Sequence, residues 1–306
     1  MRKRLIGFVT LAAALAVAAV AVSSYRQQET AGTTPQESDS SGSQQGTPAH
    51  GKQLPASRAT AAQTLESENK IPRGSYKAVG PKAYEIVRGN EFRPPGDALA
   101  HVKQLMQRSE SGDATATYEI YRTVEQCQTF ISDRADNLAD SAASVGAGNW
   151  FLERSERILK ECESLALDQD IYHADWLSKA AAMGSQEAMR AYSLSPEKAI
   201  GSLDDAIRDP AKLEAWKETA TGYLRELEAQ GNVNVISDMA MAYTYGGIVP
   251  ADPVAALAYT RVLNRLDPRF ATTNDIATRE KNLSSQQKET ARLSSNEIFK
   301  NCCIPR

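Results

Sequence analysis

The spacing of three glycines narrows what this chain can become more than any other feature. Gly184 is preceded by Trp176 and Leu177, eight and seven residues earlier, and Gly231 by Tyr223 and Leu224 at the same two distances. Four residues beyond each glycine sits a small or branched residue, Ala188 or Val235. A weaker copy centres on Gly112, with Leu105 seven before it and Ala116 four after. The pattern describes two antiparallel helices that approach closely at small residues, with the glycine closing the turn between them. One such hairpin cannot bury its apolar stripe alone, whereas stacked copies can. Gly112 and Gly184 are 72 residues apart, two units of 36, and Gly184 and Gly231 are 47 apart, so the spacing tolerates insertions.

Helical periodicity supports this from Asp97 onward. Leu99, Val102, Leu105 and Met106 form one stripe, Ile120, Tyr121 and Val124 a second. Trp150, Phe151, Ile158 and Leu159 begin a third, and Trp176, Leu177 and Ala180 a fourth. Ser195-Pro196, Asp209-Pro210 and Asp252-Pro253 each put an N-cap acceptor before a proline at the first helical position, where no amide hydrogen is needed. No stretch reads as a convincing strand. The expectation is an all-α protein of stacked helical hairpins, and the low aromatic share of 7% agrees with close helix packing through alanine.

The repeats do not extend to the start of the chain. Arg2, Lys3 and Arg4 precede eighteen uncharged residues, 5–22. As a helix this run rises about 27 Å, close to the thickness of a bilayer core. Residues 1–22 therefore read as an N-terminal membrane anchor, which the length favours, or as a secretory signal peptide cut after Ala19, Val20 and Ala21. Either way the basic cluster stays cytoplasmic and the rest is exported. Residues 23–70, rich in Ser, Gln, Thr and Gly, read as a disordered linker with a span of about 35–40 Å. Residues 71–306 are left for the helical repeat domain, and 71–96, with four prolines, read as an ordered but irregular lead-in.

Export places the four cysteines in an oxidising compartment. Among the three full pairings, Cys127 with Cys162 is preferred, because each lies at the edge of a helical segment and the intervening loop is polar and small-residue-rich. Closing it would stabilise the fold by about 3–4 kcal/mol in the chain-entropy model. A bond between the neighbours Cys302 and Cys303 would require a strained ring, and their fate is left open. With no Cys-x-x-Cys motif and three scattered histidines, no metal site is expected.

Tyr243-x-x-Gly246-x-x-Val249-x-x-Asp252-x-x-x-Ala256-x-x-Tyr259 resembles the first half of a Sel-like repeat, the bacterial relative of the tetratricopeptide repeat. The segment from Trp176 through Lys179-Ala180-Ala181 and Gly184 to Ala188 resembles the second half. The resemblance covers residues 174–188 and 220–259, thins near Gly112 and is missing over 129–148. Ile248 stands where the family has its second glycine, and residues 261–266 do not continue into a Lys-Ala-Ala turn. The resemblance implies an α/α solenoid, here of degenerate hairpins, that acts as a protein-interaction scaffold, commonly in bacterial envelopes.

Catalytic motifs are not found. Gly146-Ala147-Gly148 is too short for a phosphate cradle, and His173 with Asp175 beside Trp176 reads as a helix start. Glu153, Glu156, Glu161 and Glu163, interleaved with Arg154, Arg157 and Lys160, read as a solvated helix face. Tyr243, Tyr245 and Tyr259 cluster in this repeat and are expected to fill the inter-helix core, with exposure of Tyr245 as the alternative. Tyr245, beside Gly246 and Gly247, is a candidate partner contact if it lies exposed on a loop. The near-balance of 35 basic and 38 acidic residues argues against a nucleic-acid partner. The expected function is a non-enzymatic, periplasmic, membrane-tethered scaffold without cofactor that binds an envelope protein. The competing reading is a periplasmic enzyme or enzyme inhibitor acting on cell-wall material through the Glu153–Glu163 carboxylates.

Overall fold

The computed structural model describes residues 60–88, 93–131, 139–140 and 142–304. The basic and apolar leader and most of the linker, residues 1–59, lie outside the described residues. The described chain is helical apart from one two-stranded antiparallel hairpin. Helix α1 (Ala61–Ser67) precedes strands β1 (Tyr76–Ala78) and β2 (Tyr84–Ile86). Helices α2 (Ala98–Glu110), α3 (Ala114–Ile131), α4 (Gly148–Leu167) and the single turn α5 (Gln169–Tyr172) come after them. Next are α6 (Trp176–Ala182), α7 (Gln186–Leu194), and the short α8 (Pro196–Ile200) and α9 (Leu203–Arg208). The chain continues through α10 (Pro210–Gln230), α11 (Val233–Tyr245), α12 (Pro253–Leu266), α13 (Thr273–Glu280) and α14 (Ser285–Cys303).

The three aligned glycines are the three hairpin turns. Gly112 joins α2 to α3, Gly184 joins α6 to α7 and Gly231 joins α10 to α11, with φ of 94°, 89° and 92°. Directly after each comes a buried polar residue, Asp113, Ser185 or Asn232, whose side chain accepts from a first-turn amide of the second helix. A left-handed residue that ends one helix thus abuts the cap that starts the next. The residues four past each glycine, Ala116, Ala188 and Val235, are buried. Consecutive helices pack in series, α3 on α6, α7 on α10 and α11 on α12, so the hairpins stack. Helix α14 lies on α12, burying Ala291, Cys302 and Cys303 while most of its polar residues stay outside. Such an end helix closes an open stack.

Two apolar clusters fill the stack. The first gathers Val102, Ile120, Ile158, Leu165 and Trp176 around Cys127 and Cys162, which are joined, with 5.5 Å between their Cα atoms. The second runs from Leu177 through Leu224, Ile236 and Met239 to Tyr259 and Cys303. Ion pairs tie successive repeats together. Arg88 bridges Glu119 of α3 and Glu187 of α7, and Arg190 of α7 pairs with Asp238 of α11.

Three expectations need correcting. The stretch read as linker ends earlier than residue 70. Thr60 and Gln63 form a capping box, and Ala62 and Leu65 of α1 are buried with Ile71 and Tyr84. A seven-residue helix with two buried apolar side chains carries no periodic signal of its own, and Ile71 and Tyr84 complete its core from farther along the chain. Residues 71–88 contain the β-hairpin where the sequence predicts no strand, and together with Asn69 and Lys70 they form a strap across the repeat turns. Thr115 N donates to Asn69 O, Gln186 N to Lys70 O, and Tyr84 N to Gly231 O. Cys302 and Cys303, whose pairing the sequence leaves open, are joined to each other at the end of α14. Among the expected caps, Asp209 and Asp252 accept from backbone amides, while Ser195 makes no side-chain cap bond.

Candidate functional site

Helix α11 has two faces. Val235, Ile236, Met239 and Ala240 enter the core, while Asp238, Met241, Ala242 and Tyr245, at helical spacing, line an open groove. Met241 and Tyr245 are 52% and 76% exposed and adjoin the other apolar residues of the groove, and it is the contiguous patch that is informative. Gly246 takes over at the C-cap with φ of 82°, which lets the chain leave the helix just after Tyr245.

The opposite wall is the insert between α7 and α10. Pro196 opens α8, Gly201 breaks it, and a capping box of Ser202 and Asp205 opens α9. The insert has a core of its own, where Ile200 and Ala206 pack against Trp216 and Ala220 of α10. The Trp216 indole N–H donates to the Tyr192 carbonyl at 3.1 Å, fixing the ring as the floor. The groove encloses about 820 Å³ and is lined largely by apolar side chains, Ile200, Leu213, Trp216, Met241, Tyr245 and Ile248 among them.

Charges stand at its edge. Asp238 is held by Arg190 through two guanidinium hydrogen bonds, one of 2.9 Å. Lys217 pairs with Glu214 at 2.9 Å, Lys198 with Glu125 at 3.2 Å, and Lys212 donates to the Ile200 carbonyl at 3.0 Å. Lys198 and Lys217 are thus paired within the chain.

The residues singled out by sequence fall in different places. Tyr245 is not in the inter-helix core: it stands exposed at the groove, as the last residue of a helix rather than on a loop, because its side chain projects from the face of α11 opposite Ile236 and Met239. Tyr243 stacks on Tyr259 with ring centroids 5.6 Å apart, and the Tyr259 hydroxyl donates to Glu228 Oε2 at 2.8 Å. Burial pushes the Glu228 carboxyl above its usual range, and the Tyr259 hydrogen bond only partly opposes this. Cys127 and Cys162 lie in the N-terminal core, away from the groove. His173 contacts Gln169 and the Tyr172 ring, and Asp175 caps α6 by accepting from Ser178 N, so this group serves a helix start. Glu161 pairs with Arg93 at 2.7 Å, while Glu153, Glu156 and Glu163 are exposed along α4 and none of the four lines the groove. Among the described residues, no three His, Cys, Asp or Glu side chains come together as metal ligands would.

Sequence reasoning missed the opposite wall and the floor. The signal was present in the 47-residue interval between Gly184 and Gly231, about eleven residues beyond the 36-residue unit, and those extra residues carry Ile200 and Ala206.

No family model and no curated protein matches the chain. Among solved structures, the chain is similar to the crystal structure of c5321, a protective antigen present in uropathogenic Escherichia coli strains displaying an SLR fold. The two share 17% identity over 68% of this chain and 46% of that one, with a TM-score of 0.33. The all-α fold of stacked hairpins, similar to Sel-like repeats, rests on the glycine turns and on the packing of the helices themselves.

Proposed function

We propose that this chain is a non-enzymatic protein-interaction module of the bacterial cell envelope, held at the inner membrane by residues 1–22 or released through a cleaved signal. The observation that carries the reading is the apolar groove with Tyr245 and Met241 exposed at its wall. Open apolar surface of this kind on a folded chain marks a place where something binds, and tyrosine is favoured among the residues that dominate binding energy. The stack of hairpins supports the same reading, since repeat folds offer extended surfaces held by neighbour-to-neighbour packing.

A photoreactive side chain placed at Tyr245 of the full-length protein in cells tests it. The expected result is a discrete protein adduct in the envelope fraction that is missing when the same group replaces exposed Glu163 on α4. Failure to crosslink any protein at Tyr245, or turnover of cell-wall material by the purified chain, would overturn the proposal.

A further inference from the structure

We infer that the groove takes an amphipathic helix whose apolar stripe is flanked by lysine or arginine, an inference that rests on reading the groove as the partner surface. The first argument concerns hydrogen bonds. The walls are helices whose amides and carbonyls are mostly spent internally, and the lining is apolar. An extended peptide laid there would find no sheet edge and would leave its own backbone groups unpaired against apolar surface. A helix brings those bonds with it, so side chains alone can supply the affinity.

The second argument concerns length. Asp238, Met241 and Tyr245 form one wall over seven residues of helix, a rise of about 10 Å, or two turns. That length matches apolar anchors at i, i+3 or i+4, and i+7 on an incoming helix.

The third argument is charge complementarity. Glu197 lines the groove, Asp204 lies on the insert, and Glu218 lines the recess that adjoins it through Lys217, Gly247 and Ile248. These three exposed carboxylates make no ion pair among the described residues; Arg208 stands on the insert against them, and Arg225 lines the same recess as Glu218. Residues 196–218 carry six carboxylates against four cations, of which Lys198 and Lys217 are ion-paired and Lys212 donates to a carbonyl, and on the other wall Arg190 is paired with Asp238. An approaching segment meets free negative charge around an apolar slot, which favours basic flanks and raises the on-rate for them.

Selection from a displayed library of four-turn helical peptides, about 14 residues long, against the full chain tests the inference. Enriched peptides are expected to carry apolar residues at i, i+3 or i+4, and i+7 with lysine or arginine beside them. Their affinity should fall more than tenfold in Tyr245→Ala and Met241→Glu, with thermal unfolding unchanged because both side chains are exposed, and several-fold in Glu197→Lys. Enrichment of acidic or proline-interrupted peptides, affinity indifferent to these substitutions, or no enrichment at all overturns it. Self-association of the chain that is abolished by Met241→Glu would assign the groove to a second copy and likewise overturn it. A protein crosslinked at Tyr245 in cells without any enriched helix would remove the helix and leave the interaction reading standing. No crosslink at that position would remove the interaction reading itself.

Discussion

The Lys82 ammonium donates to the Asn301 carbonyl at 2.8 Å, across 219 positions of sequence, and also to the carbonyl of Ala229. Ala229 lies in the last turn of α10 and Asn301 in the last turn of α14, so one cation from the strap serves two helix C-termini. Positive charge is favoured at that end of a helix, where carbonyls lack intrahelical partners. Lys82→Met keeps the aliphatic stem and removes the charge. It should cost about 1–2 kcal/mol in urea denaturation, given what charged hydrogen bonds contribute. An unchanged midpoint would show that the clasp does not hold the ends together.

The same corner makes Gly231 irreplaceable in a way Gly112 is not. Both have left-handed φ, but a Cβ on Gly231 would come 2.8 Å from Lys82 O and 2.9 Å from Cys302 O, whereas one on Gly112 would meet open space. Gly112→Ala should cost about 1–2 kcal/mol, the backbone penalty alone. Gly231→Ala must in addition push apart the strap and the end of α14, and should cost at least about 2 kcal/mol more. Equal losses in the two variants would refute the close approach.

Glu228 gives the fold a pH dependence whose sign is set by its surroundings. Burial raises the carboxyl's folded-state value above its unfolded one, so the native state holds the proton more tightly. Stability from this group is complete below the ordinary carboxylate range and is lost as pH rises through the raised value. Glu228→Gln keeps an oxygen for the Tyr259 hydroxyl and has no charge to bury. The variant should therefore be more stable than the parent at pH 7, and the two should converge near pH 4. Chemical denaturation at both pH values reads the difference. A variant less stable at pH 7 would mean that the Tyr259 bond to the charged form outweighs its desolvation.

The hairpins were legible because Gly112, Gly184 and Gly231 impose a local constraint, a left-handed turn, at a fixed distance from apolar residues. Tyr245 was legible as a candidate for a related reason, since two glycines end its helix. The strap was not, because its bonds run from main-chain atoms of Asn69, Lys70 and Tyr84, and main-chain atoms leave no mark on composition. The network of Tyr84, Gln186 and Asn232 was equally hidden. Gln186 is almost fully buried, which its residue type argues against, and its burial is tolerable because its side-chain oxygen accepts from the Tyr84 hydroxyl and the Asn232 amide at 2.7 and 3.0 Å while its side-chain nitrogen donates to Gln230. The groove's far wall belongs to an insert, and a repeat pattern is silent about what is inserted into it.

The bond between Cys127 and Cys162 supplies the last prediction. It joins α3 to α4 across a stretch that carries no repeat pattern, with both sulfurs inside the N-terminal core. Constraining a loop of 35 residues in the unfolded chain is worth about 3–4 kcal/mol in the entropic account. Replacing both cysteines with alanine avoids burying polar atoms, and should remove that much stability plus a smaller amount for the lost sulfur packing. The loss should be local in origin, because the groove residues belong to clusters on the other side of α6 and α7. Hydrogen exchange of the double variant should thus show faster opening of α2, α3 and α4, while α10 and α11 keep their protection. Uniform loss of protection along the chain would mean that the stack unfolds as one unit, and that the bond stabilises the groove along with the N-terminal core.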